Sequence, residues 1–321
     1  MSVYSMLIIL SVLFITEILY FKTADHFNII DRPNHRSSHQ TSTIRGGGVI
    51  FAIGALLFFF SSGFQYPYFI VGLCLISLIS FLDDLFTLNN KVRFIVHILS
   101  VVLMLYQLEL FGLPWYWLAL SLIFVIGTIN AYNFMDGING ITGGYSLVAV
   151  GTLYYINTYI LSFSSNELLI YIILSLLVFN FFNFRYKAKC FAGDVGSISI
   201  AFIVLFFIFQ LIVRTGNFNY LLFLTVYGLD AVTTIAFRLI RKENIFEAHR
   251  SHFYQFLANE RKVSHVLVSF TYALIQLLIN IIVVFWLPGS FFILLLALLS
   301  LTIIFIIIRF SLEGTAKLLK S

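Results

Sequence analysis

Acidic side chains at the ends of apolar segments are the residues of this chain best suited to chemistry. Asp83 and Asp84 end one apolar run, and Asp194 stands between two glycines. Ionised carboxylates at the edge of a hydrophobic segment need a cation, hydrogen-bond donors or water, so their presence indicates function. They can bind Mg²⁺ or orient and deprotonate an attacking group. The structural alternative is a solvated helix end that pairs with Lys91 or Arg93.

Amide and carboxylate side chains recur at every third position further along the chain, at Asn130, Asn133, Asp136 and Asn139. On an α-helix a step of three residues drifts by about 60°, so the first three side chains fan across one face. Together with the glycines that follow them, they suit hydrogen bonding to a polar ligand with close backbone approach. Packing between membrane helices is the alternative, because amides and small residues also join such helices.

Two histidines, His249 and His252, stand three residues apart in a basic stretch, with Arg250 between them. A spacing of i, i+3 puts both imidazoles on one face of a helix. Histidine together with arginine suits phosphate binding, and the absence of a His-Glu-x-x-His pattern disfavours a zinc protease. A solvated amphipathic loop on the membrane surface is the alternative.

Two further polar features accompany these motifs. Arg45 precedes the glycine triplet Gly46–Gly48, which permits close backbone approach to an anion and could equally form a flexible hinge or a packing face. Asp230 lies inside an apolar segment, with Arg238 or Arg241 as its expected partner. For this acid an ion pair and a catalytic role are equally open.

The elements that must position these residues are membrane helices. The chain has 321 residues, of which 60% are hydrophobic and 10% charged, and this composition is typical of an all-α polytopic membrane protein. The basic residues are spread over loops, so the net charge of +5 does not indicate nucleic acid as a partner. Eleven segments are apolar enough for spans: 3–21, 47–63, 66–82, 92–110, 114–130, 143–161, 168–184, 198–213, 218–236, 264–286 and 289–309.

Basic residues predict the orientation of these spans. With eleven crossings, 18 of the 19 Lys and Arg residues fall on one side of the membrane, and only Arg214 falls on the other. Because basic loops stay in the cytoplasm, the N-terminus is predicted outside and the C-terminus inside. The acidic and histidine motifs then share the cytoplasmic side.

Five motifs in this order resemble the polyprenyl-phosphate N-acetylhexosamine-1-phosphate transferase superfamily, glycosyltransferase family 4. The motifs are Arg45-Gly-Gly-Gly, Asp83-Asp84, Asn130…Asn133…Asp136-Gly, Gly193-Asp194-Val-Gly-Ser and Glu247-Ala-His-Arg-Ser-His252-Phe-Tyr-Gln. The resemblance covers about residues 31–257. The Asp31-Arg-Pro-Asn-x-Arg-Ser-Ser-His and Ala-His-Arg-Ser-His-Phe-Tyr-Gln forms look most like the branch that initiates O-antigen and related glycans, such as lipopolysaccharide and cell-wall polymers.

This resemblance implies a reaction and its cofactor. A UDP-N-acetyl sugar and undecaprenyl phosphate would give the undecaprenyl-diphospho-sugar and UMP, with Mg²⁺ bridging the diphosphate and Mn²⁺ as a substitute. The resemblance implies catalytic roles for Asp83 and Asp84 and metal binding by Asp194 and Asn133. It implies substrate binding by Arg45, Asn130, Asn133, Asp136, Asn139, His249, Arg250 and His252. Many relatives carry Asp where this chain has Asn139, and Asn139→Asp is expected to be tolerated or activating if this position meets metal or nucleotide.

The resemblance also implies where the protein works. Residues 1–321 would form one integral transferase domain in the bacterial inner membrane, in contact with its lipids. Its active site would face the cytoplasm and be formed by loops 22–46, 83–93, 130–142, 185–197 and 237–263. The sequence leaves a homodimer open. The rival functions are a transporter or flippase of lipid-linked sugars, which would place its acids near the bilayer midplane, and an intramembrane metal hydrolase.

Overall fold

Helices make up nearly all the regular structure of this protein. The computed structural model of the chain describes residues 1–31, 42–86, 88–245 and 249–320. The helices are α1 (Val3–His26), α2 (Val49–Ser61), α3 (Pro67–Phe86), α4 (Asn90–Gln107), α5 (Trp115–Met135), α6 (Ile141–Tyr159), α7 (Asn166–Asn183), α8 (Gly193–Thr215), α9 (Thr225–Ile240), α10 (Phe253–Gln255), α11 (His265–Phe285), α12 (Phe291–Glu313) and α13 (Thr315–Leu319). The short strands β1 (Ile30–Asp31) and β2 (Thr43–Ile44) pair antiparallel, with Ile30 opposite Ile44.

Each of the eleven apolar segments coincides with a helix. Within the described residues, eight helices are long and apolar enough to cross a membrane: α1, α3, α5, α7, α8, the continuous segment Phe218–Ile240, α11 and α12. α2 is also apolar but has only 13 residues, which span about 20 Å. The chain is therefore an all-α polytopic membrane protein, while eleven crossings and the orientation stay predictions.

α8 forms the centre of the bundle. Nearly all of its side chains are buried, whereas α1 and α12 expose most of theirs. A helix that is apolar on every face belongs in the interior of a bundle, and α8 packs against α2, α3, α5 and α6. The position of α8 matters for function because this helix begins at Gly193, one residue before Asp194.

Polar residues gather at one end of the bundle. α3 ends there with Asp83 and Asp84, α5 ends at Met135, and α4 and α8 begin there. Of the sequence motifs, residues 32–39 and the Glu247-Ala248 pair lie outside the described residues. The remaining motif residues belong to segments whose geometry can be described.

Candidate functional site

Asp84 fixes the start of α8 from a different helix. Its buried carboxylate accepts hydrogen bonds from the backbone N–H groups of Asp194 and Val195, both at 3.0 Å, and pairs with Nε of Arg45 at 2.7 Å. The first N–H groups of a helix have no partner within the helix, so a carboxylate placed there satisfies them and suits the helix dipole. Asp84 therefore positions Asp194.

Glycines allow this close approach. Gly193 has a φ of +70°, and a Cβ on it would lie 2.6 Å from Oδ2 of Asp84. A Cβ on Gly48 would lie 2.2 Å from Cα of Gly196. The glycine triplet therefore serves close packing between two backbone segments. These segments are also joined by hydrogen bonds from the N–H of Gly47 to the carbonyl of Phe191 (2.9 Å) and from the N–H of Gly48 to the carbonyl of Ala192 (3.1 Å).

Arg93 joins the first aspartate of the pair to the α8 acid. Its guanidinium lies 2.5 Å from Oδ2 of Asp83 and 3.3 Å from Oδ2 of Asp194. Oδ1 of Asp83 also accepts a hydrogen bond from the N–H of Leu88 at 2.6 Å. Arg45 approaches Oδ1 of Asp194 at 3.5 Å. Asp194 thus stands between two arginines, and the ion pair expected for the aspartate pair is confirmed for Arg93.

The end of α5 brings amides beside α8. Nδ2 of Asn133 donates to Oγ of Ser197 at 3.1 Å, which leaves the amide oxygen of Asn133 for another contact. Nδ2 of Asn130 donates to the carbonyl of Ile126 one turn earlier. Burial, reinforced by the nearby carboxylate of Asp194, raises the pKa of Asp136 to about 7. Asp136 therefore gains a proton readily at neutral pH.

Asn139 lies in a different environment. Its Nδ2 donates to the backbone carbonyls of Arg185 at 2.9 Å and Tyr186 at 3.2 Å. The backbone carbonyl of Asn139 accepts a hydrogen bond from Oγ of Ser269. The side chain is buried and joins the α5–α6 connection to the loop before α8. These contacts are all within the protein, and a contact of this position with metal or nucleotide stays a prediction.

His249 and His252 lie next to each other, with ring centroids 5.0 Å apart. The N–H of Ser251 donates to Nδ1 of His249, so the proton of the neutral ring sits on Nε2. Burial, together with the neighbouring His252, lowers the pKa of His249 to about 4. His249 is therefore neutral at pH 7 and offers one N–H donor.

A cavity of about 730 Å³ connects these groups. It is lined by Asn90, Lys91, Arg93, Phe94, His97, Asn130, Asn133, Phe134, Asp194, Ile245, His249, His252 and Gln255. Its lining includes the carboxylate of Asp194 and the amide of Asn133, together with two basic side chains and three imidazoles. Such a cavity suits an anionic ligand that also brings or shares a cation.

The structure thus brings five of the predicted residues around one cavity: Asn130, Asn133, Asp194, His249 and His252. Arg45, Asp83 and Asp84 do not line the cavity, but they contact Asp194 directly or through Arg93. Asn139 and Arg250 do not line the cavity. Among the described residues, no group of three or more His, Cys, Asp or Glu side chains is placed to hold a metal ion.

Sequence reasoning missed several residues. His97 and Gln255 line the cavity, and Nε2 of buried His97 has no hydrogen-bond partner among the described residues. His97 follows Arg93 by four residues, so the two side chains share one face of a helix, and this spacing could have identified His97 as a site residue. Arg309, at the end of the last apolar segment, is also buried and bonds to the carbonyl of Ser251 beside the histidines.

Comparison with known proteins relates the chain to one group of transferases. The sequence pattern described as "Glycosyl transferase family 4" matches residues 66–212. The chain is 28% identical over 270 residues to a probable undecaprenyl-phosphate N-acetylglucosaminyl 1-phosphate transferase of Bacillus subtilis, covering 76% of this chain and 73% of that protein. Two undecaprenyl-phosphate alpha-N-acetylglucosaminyl 1-phosphate transferases are similarly related. That of Yersinia pestis is 27% identical, covering 80% of this chain and 78% of the relative, and that of Thermotoga maritima is 29% identical, covering 80% and 83%.

Proposed function

Because the chain belongs to glycosyl transferase family 4, we propose that it transfers an N-acetylhexosamine 1-phosphate from a UDP-sugar to undecaprenyl phosphate. The products are undecaprenyl-diphospho-sugar and UMP, and the reaction initiates a cell-surface glycan at the cytoplasmic face of the bacterial inner membrane. The names of the relatives support the lipid phosphate and an N-acetylglucosamine donor. The observation that carries the proposal is the cavity lined by Asp194, Asn133 and the two histidines.

The residues of the cavity fit a diphosphate. Lys91 and Arg93 supply positive charge, and the imidazoles of His249 and His252 supply hydrogen-bonding nitrogens to phosphate oxygens. Asn130 contributes a further amide to the lining. These amides, together with Asp136 directly after α5, suit the nucleotide end of the donor.

The transfer itself exchanges one phosphorus–oxygen bond for another. An oxygen of the lipid phosphate bonds to the sugar-bearing phosphorus, while the bond from that phosphorus to the bridging oxygen breaks and UMP leaves with the electron pair. A phosphate monoester has a second pKa of about 6, so it is already mostly ionised at neutral pH. The nucleophile therefore needs orientation more than deprotonation. Asp83 does not line the cavity, so it is the candidate for orienting the lipid phosphate through Arg93, and Asp84 acts by positioning Asp194.

The donor set fits Mg²⁺ shared with the substrate. Mg²⁺ typically takes one or two protein carboxylates together with substrate phosphates, so a cluster of three acidic ligands is not required. The carboxylate of Asp194 and the free amide oxygen of Asn133 would hold it, and it would neutralise charge on the diphosphate and on the departing UMP.

The test is an assay on purified protein in detergent with undecaprenyl phosphate, Mg²⁺ and a panel of UDP-N-acetylhexosamines. We expect UMP release that requires the lipid phosphate, stops with EDTA and resumes with added Mg²⁺. Asp194→Asn should abolish turnover. Glu167→Gln is the matched control, because Glu167 begins α7 at the other end of the bundle and accepts a hydrogen bond only from Ser62 among the described residues.

Three outcomes would contradict the proposal. Release of UMP without lipid phosphate would indicate a hydrolase. Absence of release with every donor, from monodisperse protein, would favour the transporter. Full activity of Asp194→Asn would remove this carboxylate from the site.

A further inference from the structure

Asp230 is a buried carboxylate that the proposed reaction does not use. It lies on α9 and has no solvent-exposed surface. Five groups donate hydrogen bonds to it: Nδ1 of His252 (3.2 Å), the N–H of Phe253 (2.9 Å), Oγ1 of Thr234 (3.2 Å), the N–H of Tyr254 (3.1 Å) and Oη of Tyr272 (2.7 Å). An ionised carboxylate is an acceptor only, and this set fills both of its oxygens. The partner of Asp230 is therefore a histidine and not the arginine expected from the sequence.

The contact with Asp230 determines which nitrogen of His252 faces the ligand. Because the carboxylate accepts from Nδ1, the ring carries a proton on Nδ1. Nε2 is buried, has no hydrogen-bond partner among the described residues, and belongs to a ring that lines the cavity. A buried polar atom without a partner costs free energy, and a ligand in the cavity can supply the missing hydrogen bond.

The backbone before His252 is held independently. Arg309 on α12 donates to the carbonyl of Ser251 at 3.1 Å and to the hydroxyl groups of Thr233 and Thr234 at 3.0 and 2.9 Å. Its charge is balanced by Glu313 at 2.5 Å. α9 and α12 thus both hold the histidine loop, so we expect the backbone at Ser251 to stay in place when Asp230 is replaced.

We propose that Asp230 is a positioning residue that acts through His252. It holds the ring so that Nε2, protonated from solvent as the diphosphate binds, donates a hydrogen bond to a phosphate oxygen, and it stabilises the positive charge of the doubly protonated ring. This inference rests on the proposed function. The alternative is that Asp230 only anchors the backbone turn at residues 252–254 through its bonds to Phe253 and Tyr254.

A double-mutant cycle distinguishes the two roles. Carboxylates that orient a functional histidine typically contribute 10- to 100-fold, so Asp230→Asn should lower kcat/KM by about 30-fold. In a His252→Gln background the same change should lower it by less than about 3-fold, because the ring through which Asp230 acts is gone. Tyr145→Phe, which removes a buried hydroxyl bonded to Gln276, is the control for loss of a buried polar contact and should keep activity. Equal losses in both backgrounds would overturn the proposal.

Two further measurements keep the test decisive. If Asp230→Asn fails to fold, His252→Gln and His252→Asn are compared, since the longer amide of Gln reaches the position of Nε2 and the amide of Asn reaches only that of Nδ1. We expect Gln to retain about tenfold more activity than Asn, because only the amide of Gln can replace the hydrogen bond made by Nε2. Equal activities would overturn the role of Nε2.

Nitrogen-15 NMR of the histidine rings gives a readout that needs no turnover. The signals of His252 are identified by their absence from His252→Gln. Protonated Nδ1 and bare Nε2 in the neutral wild-type ring, with mixed tautomers in Asp230→Asn, would support the proposal, and identical spectra would overturn it. Wild-type protein that releases no UMP would contradict the proposed function, and the ring spectra would still decide the role of Asp230.

Discussion

At the residue scale, three carboxylates lie close together where α3 ends and α8 begins, and their ion pairs differ in length. Asp84 pairs with Arg45 at 2.7 Å and Asp83 pairs with Arg93 at 2.5 Å, whereas both arginines approach Asp194 only at 3.3–3.5 Å. Contacts beyond about 3.2 Å are weak hydrogen bonds. Asp194 is therefore the carboxylate that can exchange its arginine contacts for a cation and a diphosphate at least cost.

Replacing Asn139 tests how much its buried amide contributes to stability. Its amide donates to two backbone carbonyls in a buried position. Asn139→Asp replaces these donors by a carboxylate that faces carbonyl oxygens, so we expect a loss of about 2 kcal/mol or more at pH 8. The introduced acid is expected to titrate well above its usual range, because burial and the carbonyls disfavour its charge. The measurement is the apparent Tm in detergent as a function of pH.

The direction in which the stability loss changes with pH distinguishes an introduced buried charge from a simple loss of hydrogen bonds. A protonated carboxyl can donate one hydrogen bond, so the deficit should shrink as the pH falls towards the raised pKa. Asn139→Leu, which loses the same donors without adding charge, should show a deficit that does not change with pH. Normal stability of Asn139→Asp at pH 8, with equal or higher activity, would instead support direct contact of this position with metal or nucleotide.

At the element scale, the start of α8 is fixed by backbone contact with the glycine triplet. Gly48 has an ordinary helical φ of −70°, so Gly48→Ala changes only the space available. The added methyl group would lie 2.2 Å from Cα of Gly196, and overpacking of this kind costs about 1–3 kcal/mol. We expect a lower apparent Tm together with a lower kcat, because α8 carries Asp194.

The control for this variant is a glycine in open space. A Cβ on Gly127, in the middle of α5, would meet nothing within 4 Å. Gly127→Ala should therefore be neutral or stabilise by up to about 1 kcal/mol, since Ala favours a helix over Gly. If Gly48→Ala proved as stable and active as Gly127→Ala, the close contact between Gly48 and Gly196 would not be the feature that sets the position of α8.

At the scale of the whole molecule, features that depend on local composition could be predicted from the sequence, whereas features that depend on long-range contacts could not. The apolar segments gave the positions of eleven helices, because a membrane helix satisfies its own backbone and depends on local hydrophobicity. α3 runs to Phe86, beyond the predicted end at residue 82, because Asp83 and Asp84 find donors on α4 and α8. The pairing of Asp230 with His252 joins residues 22 positions apart, and no local period reveals it.

The orientation of the bundle is the remaining prediction at this scale. Basic loops place the connection between α7 and α8 in the cytoplasm and the connection between α6 and α7 outside. Tyr159, at the end of α6, and Tyr186, in the connection between α7 and α8, are 72% and 79% exposed. Tyr159→Cys should react with a membrane-impermeant maleimide on intact cells, and Tyr186→Cys only after permeabilisation. The unaltered chain is the control, because Cys190 is buried and Cys74 is only partly exposed.

The pattern of labelling tests both the orientation of the bundle in the membrane and whether α7 crosses it. The reverse pattern would put Asp194 and the histidines on the outer face, where a nucleotide sugar from the cytoplasm could not reach them. Labelling of both variants from one side would mean that α7 does not cross the membrane. The expected pattern would place the cavity where a water-soluble UDP-sugar and the headgroup of a lipid phosphate can meet, because the cavity lies at the same end of the bundle as Tyr186.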